Sequence, residues 1–267
     1  MAEGDTILRL ARRLGDELCG ERIGVQAPGR RRPEGLAVSE LDGRVLEQVE
    51  SRAKHLLFHF DGGLSLHSHL GMKGSWLLYR EGERWRRGRG DAWICLAGND
   101  RVAVNFGGSY LRIAPAARLR RDPRLARLGP DLLAANFDAA ATVVRLHRAG
   151  ALQLGEALLD QSLIAGIGNI FKSEGCFEAG LDPFTTVAEL SDLELAAVLE
   201  RTRALMLKAA ASGRQPSRVY RRAGQPCPRC RAPLRSAAQG DSARFSFWCP
   251  RCQPPRHADP AALADAG

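Results

Sequence analysis

Four cysteines and a glycine-bearing corner mark the places where this chain could do chemistry. Cys227-Pro-Arg-Cys230 and Cys249-Pro-Arg-Cys252 form two C-x-x-C pairs separated by 18 residues, a spacing that suits four thiolates around one tetrahedral metal ion. Each pair supplies one edge of the tetrahedron, and a strand pair between them brings the edges together. Few apolar residues lie in this segment, so metal binding supplies much of its folding free energy, on the order of 10 kcal/mol for structural zinc. Four thiolates leave no open position. One Zn2+ is therefore expected, with a structural and not a catalytic role.

The second place is Leu158 to Phe177, LLDQSLIAGIGNIFKSEGCF. An apolar helix that ends in Ala165-Gly166-Ile167-Gly168 and restarts at Asn169 reads as a tight helix-turn-helix corner, with backbone angles that glycine reaches without strain. Such a corner points N–H groups of the second helix outward, adds the Asn169 amide beside them and puts Lys172 one turn further on. That is a seat for a phosphate. Taken alone, the same turn also fits an ordinary helical hairpin.

Composition agrees with an anionic partner. The 267 residues carry a formal charge of +9, and all but four of the basic residues (Lys54, Lys73, Lys172 and Lys208) are arginines, whose guanidinium forks suit phosphate oxygens. Cys19, Cys95 and Cys176 stand alone, so they are expected to be reduced and buried, not part of a disulfide framework. No run approaches the roughly 18 apolar residues of a membrane span. The expectation is a cytoplasmic protein without membrane contact.

Several elements must position these groups. Thr6 to Leu18 places Ile7, Leu8, Leu10, Ala11, Leu14 and Leu18 on one side of a helix, with arginines around the other. From Val25 to about Ala114 short β-type runs alternate with glycine turns, as in Leu56 to Phe60, Asp61-Gly62-Gly63 and Leu64 to Leu70, which predicts a β-sandwich. Gln26 to Gly35, rich in arginine and proline, predicts a loop. A basic connector from Arg118 to Asp131 precedes helical periodicity over Phe137 to His147, Leu154 to Leu163, Asn169 to Phe177 and Leu193 to Ala211. The fold class is thus α+β and multidomain. Residues 1–118 form a β-sandwich with its terminal helix, 119–212 a helical domain, 213–253 a four-cysteine zinc-finger hairpin and 254–267 a frayed tail.

The wording LDQSLIAGIGNIFKSE resembles the helix-two-turn-helix segment of the DNA glycosylase family that contains formamidopyrimidine-DNA glycosylase and endonuclease VIII. Four further stretches, in the right order, resemble other parts of that family. Ala2-Glu3-Gly4-Asp5 is similar to its catalytic start, where proline usually follows the initiator methionine. The resemblance implies that Met1 is removed, that the Ala2 amine attacks C1′ of the sugar to form a Schiff base, and that Glu3 serves as acid and base. An α-amino group with a pKa near 7.8 is about one-tenth or more neutral at pH 7, whereas a lysine near 10.4 is neutral in well under one part in a thousand.

Ser51-Arg52-Ala53-Lys54-His55-Leu56 resembles the family's hairpin, with alanine in the usual glycine position, and implies that Lys54 contacts the lesion phosphate and helps elimination. His69-Leu70-Gly71-Met72-Lys73-Gly74 resembles the loop whose methionine fills the gap left by an everted base. Asn105-Phe106-Gly107 keeps a phenylalanine of the DNA-reading turn without the arginine that precedes it in the formamidopyrimidine branch. Arg244-Phe245-Ser246-Phe247-Trp248 resembles the finger hairpin, and Arg244 falls on its phosphate-gripping arginine. Asn169 and Lys172 complete the implied DNA contacts.

Leu207 to Cys227 is short and lacks the glycine-rich insertion of formamidopyrimidine-type members, so the resemblance points to the endonuclease VIII-like branch. It implies a monomeric, nucleoid-associated glycosylase and abasic-site lyase, with β,δ-elimination, acting on duplex DNA that holds an oxidised base or abasic site. Two alternatives stand beside it: a monofunctional glycosylase for unusual or bulky adducts, and a zinc-containing protein that binds damaged DNA without cutting.

Overall fold

The computed structural model describes residues 2–30, 32–241 and 243–256. The chain divides into two compact units, Met1–Arg127 and Leu128–Gly267.

The first unit begins with α1 (Gly4–Leu18). Glu3 stands at its N-cap, its carbonyl accepting the Thr6 and Ile7 amides at 3.0 and 3.2 Å, so the helix starts two residues before the apolar periodicity does. Ile7, Ala11, Leu14 and Leu18, three or four apart, form its buried stripe.

Eight antiparallel strands follow: β1 (Arg22–Gln26), β2 (Arg44–Arg52), β3 (His55–Phe60), β4 (Leu64–His69), β5 (Trp76–Arg80), β6 (Ile94–Ala97), β7 (Arg101–Asn105) and β8 (Tyr110–Pro115). They make two four-stranded layers, β5-β7-β6-β1 and β2-β3-β4-β8, joined by a short β1–β2 ladder at Arg22↔Val45 and Ile23↔Arg44. Period-two alternation turns Leu56, Phe58 and Phe60 of β3 toward a shared core with Ile23, Leu66, Ile94, Leu96 and the α1 stripe. This is the expected sandwich, and the described residues between positions 27 and 37 contain no regular strand or α-helix.

The two units divide within the basic connector, after Arg127. The connector folds into α2 (Ala116–Arg120) and α3 (Pro123–Ala126), burying Leu119 and Leu125, and Asp122 caps α3 by accepting the Arg124 amide at 2.9 Å. Those leucines lie in the first unit, on the N-terminal side of the division.

The second unit contains α4 (Ala139–His147), α5 (Leu154–Leu159), α6 (Asn169–Ala179), α7 (Asp192–Ser212) and the hairpin β9 (Arg235–Gln239) and β10 (Arg244–Trp248). Leu146, Leu158, Phe171, Leu195 and Leu199 pack in one core. A capping box between Ser191 and Glu194 starts α7, and Gly180, at φ +73°, ends α6. Phe177 of α6 joins Val219, Leu234, Cys227 and Cys249 in a second cluster, so finger and helices belong to the same unit. Residues 257–267 of the expected tail lie outside the described residues.

The corner before α6 departs from the simple glycine argument. Gly166 does take φ +102°, but Gly168 is extended at φ −120°, ψ −168°, a conformation open to any residue. Gln161 does the rest: its amide accepts from the Gly166 N–H at 3.1 Å and donates to the Ile167 carbonyl at 3.0 Å. Cys95 and Cys176 are buried, and burial pushes their thiols up to about 11 and about 12.

Candidate active site and nucleic-acid interface

In the first unit, Ala2 precedes the α1 N-cap and lines a cavity of ≈290 Å³ with Thr6, Arg9, Leu10, Leu70, Met72, Gly74, Ser75 and Trp76. Glu3, the next residue, is fully buried. The sequence expectations for Ala2 and Met72 therefore meet at one opening. Lys54 is not among the residues that line it.

The loop carrying Met72 is tightly specified. Gly71 sits at φ +58°, and the Gly74 amide returns to the Leu70 carbonyl at 2.9 Å. A Cβ on Gly74 would fall 2.5 Å from the Leu70 carbonyl oxygen and 2.7 Å from that of Gly107, so only glycine fits there. His69 Nδ1 accepts the Gly71 N–H at 3.2 Å and lies 2.7 Å from Ser109 Oγ, which places the ring proton of neutral His69 on Nε2. Held by these contacts, Met72 projects with 74 % of its surface exposed. A long apolar side chain so displayed on a fixed loop is suited to contact with stacked bases.

Lys54 occupies the two-residue β2–β3 turn, closed by the Arg52↔His55 pair. Ala53 there adopts φ +55°, which explains why glycine is the ordinary choice at this place. Behind the turn three imidazoles gather: His55 Nδ1 lies 2.8 Å from His67 Nε2, and the His55 ring centroid is 4.7 Å from that of His69. Burial, then the neighbouring rings of His67 and His69, pushes His55 down to about 3, and burial takes His67 down to about 4. The cluster is neutral at physiological pH.

Phe106, expected at the DNA, is packed inside the first unit in this structure. It is 1 % exposed, clustered with Tyr79, Cys95 and Val104, with Trp85 edge-on to its ring and the Arg87 guanidinium 5.1 Å from the ring centroid. Contact with DNA would require the ring to leave this packing.

In the second unit, Asn169 and Lys172 of α6 reach the backbone of β10. Asn169 Nδ2 donates to the Phe245 carbonyl at 2.9 Å, and Lys172 Nζ lies 3.4 Å from the same oxygen. Arg244, the residue before, is exposed. Asn169 and Lys172 thus share one carbonyl oxygen, one residue beyond Arg244 in the chain. Lys172 itself is fully buried, and its ammonium lies against the finger strand.

The four finger cysteines also come together. Their sulfurs lie within 4.8 Å of one another, with Cys227–Cys252 at 3.9 Å and Cys230–Cys249 at 3.5 Å. Thiolates 2.3 Å from a tetrahedral zinc would be about 3.8 Å apart, so the set fits one Zn2+. The site holds a structural zinc.

Two contributors escaped the sequence reading. Arg9 on the cavity wall is one, and its only signal was the helical stripe it shares with Thr6. Glu174 is the other: it is buried, and its carboxylate accepts the Arg218, Val219 and Tyr220 amides at 2.8 to 2.9 Å, fixing the chain that enters the finger.

The match to known families follows this geometry. Residues 1–114 match the formamidopyrimidine-DNA glycosylase N-terminal domain, 128–220 its H2TH domain, and 224–255 the zinc finger found in FPG and IleRS. The chain belongs to the formamidopyrimidine-DNA glycosylase and endonuclease VIII family. A probable endonuclease 8 2 of Streptomyces coelicolor is 39 % identical over 95 % of this chain and 94 % of its own length. A DNA-(apurinic or apyrimidinic site) lyase Nei2 of Mycolicibacterium smegmatis is 33 % identical over 95 % and 99 %. Within the family the chain stands with the endonuclease VIII-like branch. Lactococcus lactis formamidopyrimidine-DNA glycosylase, solved non-covalently bound to DNA with an abasic site, shares the fold at a TM-score of 0.81 and 20 % identity, covering 95 % of this chain and all of that one. Among the described residues no helix is long and apolar enough to cross a membrane.

Proposed function

We propose that this protein is a base-excision-repair enzyme that removes an oxidised base from duplex DNA and then cleaves the abasic strand, through a Schiff base on the amine of Ala2 exposed by removal of Met1. The observation that carries this reading is Ala2, followed by a buried Glu3, on the wall of the cavity that the Met72 loop closes. Met72 fills the place of the everted base. The amine nitrogen gives its electron pair to C1′; the C1′–N bond breaks and the base leaves with that bond's electrons, taking up a proton. Glu3 protonates the ring oxygen as the sugar opens to the imine, then acts as base in elimination. Lys54, Asn169 and Arg244 hold phosphates, Asn169 exchanging the Phe245 carbonyl for a phosphate oxygen. The enzyme works as a monomer, and its charge of +9 supports residence on the nucleoid.

Borohydride trapping on abasic duplex tests it. The expected result is a covalent adduct that maps to Ala2, in a protein whose intact mass lacks one methionine, and loss of the adduct in Glu3→Gln by about 10²-fold or more. Retained Met1, or nicking with no trapped species, would reject the mechanism. A second reading rests on Ala2 itself, which offers a primary amine where proline offers a secondary one: a glycosylase whose strand cleavage is weak. It predicts base release from a lesion duplex and a trapped adduct, but slow nicking of the abasic product.

A further inference from the structure

The connection between β5 and β6 plays no part in the mechanism above. Its centre, Arg84-Trp85-Arg86-Arg87-Gly88-Arg89, carries four arginines in six residues without a carboxylate. Every residue of it except Trp85 is exposed. Two of the four guanidiniums are nonetheless seated. Arg89 lies over the Trp85 indole, 4.8 Å from the ring centroid, and Arg87 donates to the Phe106 carbonyl at 3.4 Å. The indole is itself held, stacked on Tyr79 at 6.2 Å and edge-on to Phe106 at 6.1 Å, while the Tyr79 hydroxyl accepts the Arg86 amide at 3.1 Å. A guanidinium laid on a ring keeps its N–H fork open at the rim. Because the acceptor for Arg87 is main chain, that bond survives whatever side chain stands at 106.

Position indicates the anion these forks meet. The Phe106 amide donates to the Ser75 carbonyl at 2.8 Å, and a Cβ on Gly74 would fall 2.7 Å from the Gly107 carbonyl oxygen. Through Phe106 and Gly107 the seated arginines are thus tied to the end of the Met72 loop. Their own hollow, ≈410 Å³, shares no residue with the cavity at Ala2. We infer that Arg87 and Arg89 grip phosphates of the undamaged strand, opposite the lesion. The inference rests on the glycosylase reading given above, in which the damaged strand lies at Ala2 and Met72 enters the stack. Past Met72 the next backbone is that of the intact strand, and holding it keeps the gap open. Each fork can pair two phosphate oxygens, and with the guanidiniums already seated little further side-chain freedom is lost on binding.

Equilibrium titration of a duplex with a tetrahydrofuran abasic analogue, which cannot form the imine, tests this on the zinc-loaded full chain. Arg87→Ala and Arg89→Ala should each weaken binding about fivefold and lessen the slope of log affinity against log salt by about 1. Arg84→Ala and Arg86→Ala remove the same charge from guanidiniums that lie on no ring among the described residues, and should weaken it less than about twofold. Single methylphosphonate replacements then identify the strand. Wild type should lose affinity at about two positions of the intact strand, where the Arg87→Ala/Arg89→Ala double variant loses nothing further. Along the damaged strand the two proteins should respond alike. Equal losses in all four single variants, coupling to damaged-strand phosphates, or a loss that no single phosphate accounts for would overturn the assignment. Wild type that does not bind the duplex would instead reject the glycosylase reading, and this inference with it.

Discussion

Asn169 of α6 and Phe245 of the finger hairpin are joined by one hydrogen bond, Nδ2 to carbonyl, at 2.9 Å. The bond ties the start of the helix after the glycine corner to the residue that follows Arg244. Because Lys172 Nζ lies 3.4 Å from the same oxygen, Asn169 can turn away without leaving that carbonyl unsatisfied. Asn169→Ala should thus lower stability by only about 1 kcal/mol in denaturant unfolding. Its larger effect should be on abasic-duplex affinity, weakened about tenfold in a fluorescence titration. Unchanged affinity would remove Asn169 from the phosphate site.

The zinc site makes a sharper demand. Cys227 and Cys249 share a cluster with Phe177, Val219 and Leu234, so losing the metal also loosens packing on α6. Chelation, or Cys249→Ser, should abolish duplex binding and broaden thermal unfolding into two steps, with one equivalent of zinc released to a colorimetric indicator. A chelated protein that still binds DNA with full affinity would contradict this.

The β2–β3 turn gives a contrast between two substitutions at one residue. Ala53 is 2 % exposed and at φ +55°. Ala53→Gly relaxes the backbone, by roughly 1–2 kcal/mol, but gives up a buried methyl and frees the unfolded chain by similar amounts, so stability should move by less than about 1 kcal/mol. Ala53→Val puts a β-branched side chain in a conformation it avoids and in a space without room, and should cost more than about 2 kcal/mol. Chemical denaturation of both variants checks the pair.

What the sequence made legible divides along physical lines. Periodicity located the α1 stripe and the alternating β3 and β4, and ligand spacing located the zinc, because these patterns depend on residues close in sequence. Burial of particular side chains was less visible. Nothing in Asn105-Phe106-Gly107 says that Trp85 and Arg87 cover the ring, and nothing in the spacing of Lys172 says that its ammonium turns inward to Phe245. A resemblance in residue type carries no information on exposure. The short helices inside Arg118 to Asp131 were less visible, because its basic residues suggested a linker while Leu119 and Leu125 are buried.

The histidine cluster should make stability depend on pH on the acid side. His55 and His67 titrate at about 3 and about 4 in the folded chain, below the ordinary 6.5. The unfolded chain therefore binds more protons between those limits, and stability is fully present above pH 6.5 and falls as pH drops toward 4. The window lies mostly above the range of the carboxylates. Lowering a pKa by one is worth roughly 1.4 kcal/mol, so the two rings together set an upper bound on the order of 8 kcal/mol for the loss. His67→Gln should flatten the slope of unfolding free energy between pH 6.5 and 4.5, and an unaltered slope would assign it elsewhere.

Met72 and Phe106 supply the final contrast, since one is 74 % and the other 1 % exposed. Met72→Ala removes a side chain that supports little of the fold, so its melting temperature should stay within a degree or two. Without a group to fill the duplex, base release from a lesion should fall about tenfold or more, while cleavage at a preformed abasic site, which requires less unstacking, should fall less. Phe106→Ala should behave in the opposite way. It empties a ring-sized space beneath Trp85 and Arg87 and should cost about 3–5 kcal/mol. The fraction that remains folded, measured at low temperature, should retain wild-type kcat/KM on both duplexes. A Phe106→Ala protein that melts normally but loses lesion recognition would return that ring to the DNA surface.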